Sequence, residues 1–93
     1  MGKFNVTAVS VEELLYEGAA DEIIAPGEEG GMSIFSRHAP VLAALKKGIL
    51  SIIDGPSKKD FEIKDGFIEV SAKQGNSASG GAGSFVNIFV RTA

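Results

Sequence analysis

His38 is the only histidine and there is no cysteine, so few groups in this 93-residue sequence can carry a reaction. A Ser-His-Asp arrangement would have to recruit His38 with Ser10, Ser33 or Ser36 as nucleophile. None of these serines sits in a Gly-x-Ser-x-Gly turn that would expose it for attack. One imidazole without metal-ligand spacing around it does not make a zinc site. The missing thiols remove disulfides, thiolate metal sites and a cysteine nucleophile together. Glu12-Glu13 and Glu28-Glu29 are paired carboxylates, yet neither pair is set among apolar residues that would raise a carboxyl pKa for acid work. Lys73 to Ser84 is rich in glycine and serine, with Gly75, Gly80, Gly81 and Gly83 among Ser77, Ser79 and Ser84. It lacks the Lys-Ser/Thr ending of a phosphate-binding loop and the glycine spacing of a dinucleotide fingerprint, and reads as a flexible connection. No catalysis, cofactor or metal is expected, and His38 is expected to pack or hydrogen-bond at a turn.

The elements that would position these residues read as short strands. Phe4, Val6 and Ala8 alternate with Asn5 and Thr7, the period-two pattern of a half-buried strand. Ile23-Ile24-Ala25 leads into Pro26-Gly27, which fits the centre of a type II turn. Met32 and Ile34 begin another alternation. Ile49 to Ile53 is a near-continuous apolar run, as in a strand covered on both faces, and Asp54-Gly55-Pro56 ends it. Phe61 and Ile63 alternate up to Asp65-Gly66, a type I′ hairpin signal from which Phe67 to Val70 would pair back. The last strand, Phe85 to Val90, sets Val86, Ile88 and Val90 on one face and Phe85 and Phe89 on the other. Ser10-Val11-Glu12-Glu13 has the form of a capping box, but the stretch through Tyr16 is expected to be mostly strand. Ala39 to Lys47, rich in helix formers and stopped by Gly48, is expected to be a turn or short helix. Turn signals this closely spaced predict an all-β sandwich or barrel in one domain, 1–93.

Charge and composition narrow the classes further. The net charge of −3 lacks the basic footprint of a nucleic-acid binder. Residues 1–29 carry seven acids against Lys3, and residues 30–93 carry eight bases against five acids. Such asymmetry suits a docking module with an acidic and a basic side. The longest apolar run, Ala39 to Leu45, is far short of the roughly 20 residues of a membrane helix, and no apolar signal region opens the sequence, so a soluble, intracellular chain is expected. The apolar residues exceed what a small sandwich interior needs, and the excess predicts a patch that a partner covers.

Several motifs then occur in a fixed order. Ala25-Pro26-Gly27-Glu28-Glu29-Gly30 is followed by Arg37-His38-Ala39-Pro40-Val41-Leu42, then Ala44-Leu45-Lys46-Lys47-Gly48, then Asp65-Gly66-Phe67-Ile68-Glu69-Val70. With Val9-Ser10 near the start and Arg91-Thr92-Ala93 at the close, the sequence resembles the epsilon subunit of F-type ATP synthase over nearly its whole length. The resemblance implies a flattened two-sheet β-sandwich of about ten short strands at the foot of a rotating central stalk. It implies no chemistry, but coupling of proton- or sodium-driven rotation of the membrane c-ring to the gamma subunit, and so to ATP synthesis. Partners would be gamma and the c-ring, with no nucleic acid. The location would be peripheral, on the cytoplasmic face of a bacterial inner membrane, without insertion.

Carried over residue by residue, Ser10, His38, Ala39, Pro40 and Leu42 match positions near gamma. Glu28, Glu29, Gly30, Gly31 and Met32 match the ring-facing loop. Gly31 replaces an acid of the family pattern, Ser36-Arg37 replaces the usual Pro-Gly before the histidine, and the Gly/Ser loop at 73–84 is longer than the family's tight hairpin. No counterpart of the C-terminal helical hairpin is present, so neither autoinhibition by it nor ATP binding there is expected of residues 1–93. The alternative class is a carrier or adaptor domain; a carrier would display one lysine in a tight hairpin turn, whereas Lys58-Lys59 is expected in the longer loop from Asp54 to Asp60, without the flanking residues such domains show.

Overall fold

The computed structural model describes residues 2–72 and 84–93. They form eight strands and no helix: β1 (Phe4–Ser10), β2 (Leu14–Ala20), β3 (Glu22–Gly27), β4 (Gly30–Phe35), β5 (Val41–Leu45), β6 (Gly48–Asp54), β7 (Ser57–Ala72) and β8 (Ser84–Thr92). Hydrogen bonding runs continuously in the order β2-β1-β8-β7-β5-β3-β4, with β6 joining β3 to β7. This arrangement folds into two layers. One layer holds β2, β1, β8, the second half of β7, and β5. The other holds the first half of β7, then β6, β3 and β4.

β7 belongs to both layers because a register shift between Ile63 and Asp65 leaves Lys64 as an extra residue. A bulge of this kind bends the strand and increases its twist. Asp65-Gly66 is therefore not the hairpin its sequence predicts but part of one strand of 16 residues. Gly66 is needed for a different reason: a Cβ there would run into the carbonyl oxygen of Phe89 and the backbone of Val90. The merged hairpin removes one strand from the expected count, and the described residues form eight.

The interior is apolar and alternates as the sequence predicts. Phe4, Val6 and Ala8 of β1 and Val86, Ile88 and Val90 of β8 are buried, opposite Ile23, Ala25, Leu50 and Ile52 of the other layer. β6 departs from expectation, since Leu50 and Ile52 face inward while Ile49 remains 49% exposed. Its Ser51 is the one buried polar side chain among the described residues and donates to Asp60 Oδ1 at 2.7 Å.

Local chemistry sets the turns. Ser10 Oγ accepts from the backbone of Glu12 and Glu13 at 3.3 and 3.2 Å and closes the chain reversal into β2, so this stretch is strand and turn. The β3–β4 turn falls at Glu28-Glu29, two residues past the predicted Pro26-Gly27, with Gly27 and Gly30 as the closing pair. β6 and β7 are joined through Gly55-Pro56. Gly55 has φ 60° and proline holds the next φ negative, the φ signs of a type II′ turn. At the corner between layers, Asp21 accepts from Gly55 N at 2.6 Å and from Lys3 Nζ, which also bonds Asp54.

Ala39 to Leu45 is not helical. Val41–Leu45 forms β5, paired with Gly66–Val70 of β7. Pairing against a twisted neighbour overrides the weak helix preference of Ala and Leu. Lys58 and Lys59 lie in β7 opposite Ile53 and Ile52, not in a loop. This segment therefore supplies no lysine turn of the kind a carrier domain displays.

Candidate interaction surface

The outer face of the first layer carries much of what the interior does not absorb, while Ile24, Phe35 and Ile49 remain exposed on the second. Register aligns Leu14, Val9, Phe89, Phe67 and Ala44 as successive cross-strand partners over β2, β1, β8, β7 and β5. Leu14 is 54%, Phe89 53% and Phe67 55% exposed. Fully burying a phenylalanine is worth about 1.5–3 kcal/mol, so two half-exposed rings leave much of that gain unrealised. The next row, Glu17-Thr7-Asn87-Glu69-Leu42, is polar except for Leu42 at its end, which is 70% exposed. Phe85 on the same side of β8 adds a further exposed aromatic.

Above the apolar row, Arg91 Nε donates to Asp65 Oδ1 at 2.8 Å and a second guanidinium nitrogen reaches the other carboxylate oxygen. That pairing holds the Asp65 carboxyl below its usual range and raises Arg91. Both side chains are exposed, so the pair orients the end of β8 more than it stabilises the fold.

The residues expected to face one partner are spread over this layer. Ser10 ends β1 and is engaged in its own turn. His38, Ala39 and Pro40 lie between β4 and β5, where His38 N donates to Phe35 O at 3.2 Å and His38 Nδ1 lies 2.7 Å from Ala39 O. That contact requires the proton on Nδ1, since a carbonyl only accepts. Arg37 holds the turn at φ 65°, the left-handed region where the family pattern has glycine. Three strand spacings, about 14 Å, separate β1 from β5. Ser10 and Leu42 therefore do not form one patch, and the apolar row lies between them.

The second expected set converges on one end. Glu28 and Glu29 form the exposed tip of the β3–β4 hairpin, with Gly30, Gly31 and Met32 entering β4. Glu28 N donates to Ala44 O at 2.9 Å, Gly27 pairs with Leu45, and Lys46 N donates to Pro26 O at 2.8 Å. These bonds hold the tip against β5. A notch of about 330 Å³ opens beside it, lined by Glu28, Glu29, Met32, Val41 and Leu42 among others. Leu42 thus sits with the tip rather than with Ser10.

Phe67, Val9 and Leu14 were not singled out by sequence reasoning. Alternation marks Phe89 as outward, but only register shows it opposite Phe67. Among the described residues there is no group of three His, Asp or Glu able to hold a metal. No described helix is long and apolar enough to cross a membrane.

A two-layer sandwich with an apolar outer row and a polar hairpin tip defines a class of interaction domain. Residues 3–75 match the ATP synthase Delta/Epsilon chain β-sandwich domain, and the chain belongs to that family. It is 43% identical over 68 residues to the ATP synthase epsilon chain of Leptospira borgpetersenii serovar Hardjo-bovis (strain JB197), covering 73% of this chain and 54% of the relative. Identity to the epsilon chain of Caulobacter vibrioides is 36% over 70 residues, 75% of this chain and 81% of that one. The chain spans about half the length of most of the relatives compared. Its fold is similar to a chain in the central stalk and c-ring structure of the Tetrahymena thermophila mitochondrial ATP synthase, with TM-score 0.73 at 20% identity over 97% of this chain and 64% of that one. A chain of the Euglena gracilis mitochondrial ATP synthase gives TM-score 0.74 at 22% identity, over 95% of this chain and 50% of that one.

Proposed function

We propose that residues 1–93 act as a non-catalytic rotor domain of an F-type ATP synthase, one that docks the gamma subunit onto the c-ring and couples ion-driven rotation to ATP synthesis. The observation that carries this reading is the apolar row of Leu14, Val9, Phe89, Phe67 and Ala44, a surface whose burial gain is realised only when a partner covers it. Gamma covers that row, with His38, Ala39, Pro40 and Leu42 at its margin. Ser10 shapes the turn that presents Leu14. At the far end of β5 the Glu28–Met32 hairpin meets the ring, where its carboxylates oppose basic groups. The domain sits peripherally on the cytoplasmic face of a bacterial inner membrane, held through the complex. Packed layers suit the task because close-packed interiors deform little under load.

The test is isothermal titration of this chain with the gamma subunit from the same source. Tight one-to-one binding is expected, weakened in the Phe67→Ala variant and in the His38→Ala/Leu42→Ala double variant. Absence of binding at tens of micromolar by a chain folded in circular dichroism would overturn the reading.

A further inference from the structure

Among aspartyl bonds, the one before glycine closes most readily to a ring, because the glycine nitrogen meets no side chain of its own on the way to the aspartate carboxyl carbon. The sequence holds two such dipeptides, Asp54-Gly55 and Asp65-Gly66, and the fold treats them oppositely. Asp65-Gly66 lies inside β7. Gly66 is paired with Leu45 on one side and Val90 on the other, and Arg91 engages the Asp65 carboxylate. Neither reacting group can turn towards the other there. Asp54-Gly55 instead enters the two-residue turn between β6 and β7, where Gly55 is exposed with open space around it and Pro56 has no N–H to bond across the turn. Its restraint is the corner clasp. Gly55 N donates to Asp21 Oδ2 at 2.6 Å, and Lys3 Nζ bonds both Asp21 and Asp54.

We propose that Asp54-Gly55 is a site of covalent modification, where aspartate converts to isoaspartate through a succinimide, and that the clasp of Lys3 and Asp21 sets the rate. In the first step the Gly55 nitrogen bonds to the side-chain carboxyl carbon of Asp54. One carboxylate oxygen leaves as water, carrying the N–H proton and a proton from solvent. Water then adds to the main-chain carbonyl carbon of Asp54 and breaks its bond to nitrogen, so the chain now runs through the side chain. Nothing is oxidised or reduced, and water lost in the first step is regained in the second. The clasp opposes ring closure at both ends. Lys3 anchors the Asp54 carboxylate and Asp21 anchors the Gly55 nitrogen, so neither rotates to meet the other until those bonds open. The bonds are exposed, and local opening of such a corner needs no global unfolding. The product inserts a methylene into the main chain of a two-residue turn, which disrupts the Asp54–Ser57 pair and loosens the corner where the layers meet.

The test stores the whole chain at neutral pH in heavy-oxygen water, then maps its peptides by chromatography and electron-based fragmentation. Isoaspartate carrying the heavy oxygen is expected at Asp54-Gly55 and not at Asp65-Gly66. Lys3→Met keeps the aliphatic stem and removes the charge. It should speed accumulation at Asp54-Gly55 by about five-fold, the change expected when two exposed ion pairs no longer hold the turn closed. Asp54→Glu, whose longer side chain closes a ring poorly, should stop it. Equal accumulation at both dipeptides of the folded parent overturns the site. So does a folded parent that forms no isoaspartate at Asp54-Gly55 while a free peptide of the same residues does. An unchanged rate in Lys3→Met overturns the role of the clasp. Acceleration at both dipeptides together also overturns it, since that is the signature of global unfolding rather than of a local opening.

Discussion

The apolar row on the first layer and the Glu28-Glu29 hairpin tip are two surfaces built on opposite plans. The row is assembled across five strands by register, from residues as far apart in sequence as Val9 and Phe89. The tip is a local turn of six consecutive residues, from Gly27 to Met32, clasped to β5 by backbone bonds. The row is rigid and apolar, suited to a contact that must not slip. The tip is polar and exposed, suited to a salt-sensitive contact that can be remade.

The largest effect should come from the glycine that seats the row. Gly66→Val places a side chain against the Phe89 carbonyl and Val90, and overpacking of this kind should cost about 3 kcal/mol in urea unfolding. An unchanged midpoint would mean that β7 and β8 can separate without loss. Next, Phe89→Ala should weaken gamma binding by about 2 kcal/mol, roughly thirty-fold, while lowering stability by less than about 1 kcal/mol. If stability fell as much as affinity, the ring would belong to the fold and not to the interface. Smaller still, Arg37→Gly should stabilise by about 1 kcal/mol, since it relieves the φ of 65° at the β4–β5 turn. It should leave gamma affinity within experimental error, and a loss of affinity would move Arg37 into the contact.

The smallest effect concerns the corner between the layers. Gly55 N–H and the Lys3 ammonium hold the Asp21 carboxyl below its usual range. Its stabilising effect is therefore complete above the ordinary carboxylate range and is lost as pH falls through the depressed folded value. Acid titration of the Asp21→Asn variant should show a shallower loss of stability below about pH 4 than the parent chain. Identical acid limbs would mean that the corner bonds do not matter to the fold.

The sequence made one of these plans easier to see than the other. Alternation in Phe4, Val6, Ala8 and in Val86, Ile88, Val90 identified core faces, because burial on one side of a strand leaves a period of two. It marked Phe89 as outward for the same reason. What it could not supply was the partner of Phe89, since the match to Phe67 depends on a bulge at Lys64 that shifts the register. Asp65-Gly66 misled for a related reason: the same dipeptide that favours a hairpin also serves a strand whose neighbour comes too close for a Cβ. Ala43 and Ala44 carry a helical preference too weak to withstand pairing with β7. The tip was nearly legible, displaced by two residues because Pro26 tolerates the strand and hands the turn to Glu28-Glu29. The notch was invisible, for it exists only where β5 and the hairpin part company. The glycine- and serine-rich stretch noted at 73–84 lies outside the described residues except for Ser84, which opens β8.

The parallel pairing of β1 with β8 also governs the order in which the domain can be made. β8 is inserted between β1 and β7, so the first layer stays divided until residues 84–92 have emerged from the ribosome. Until then β1 and β7 expose the strand edges that β8 will cover, which makes the nascent chain dependent on chaperones or on speed. The second layer has no such dependence, because β3, β4, β6 and the first half of β7 are complete by residue 63. Synthesis should therefore produce the hairpin-tip end first and the apolar row last, so that no partner can take the row before the sandwich is whole.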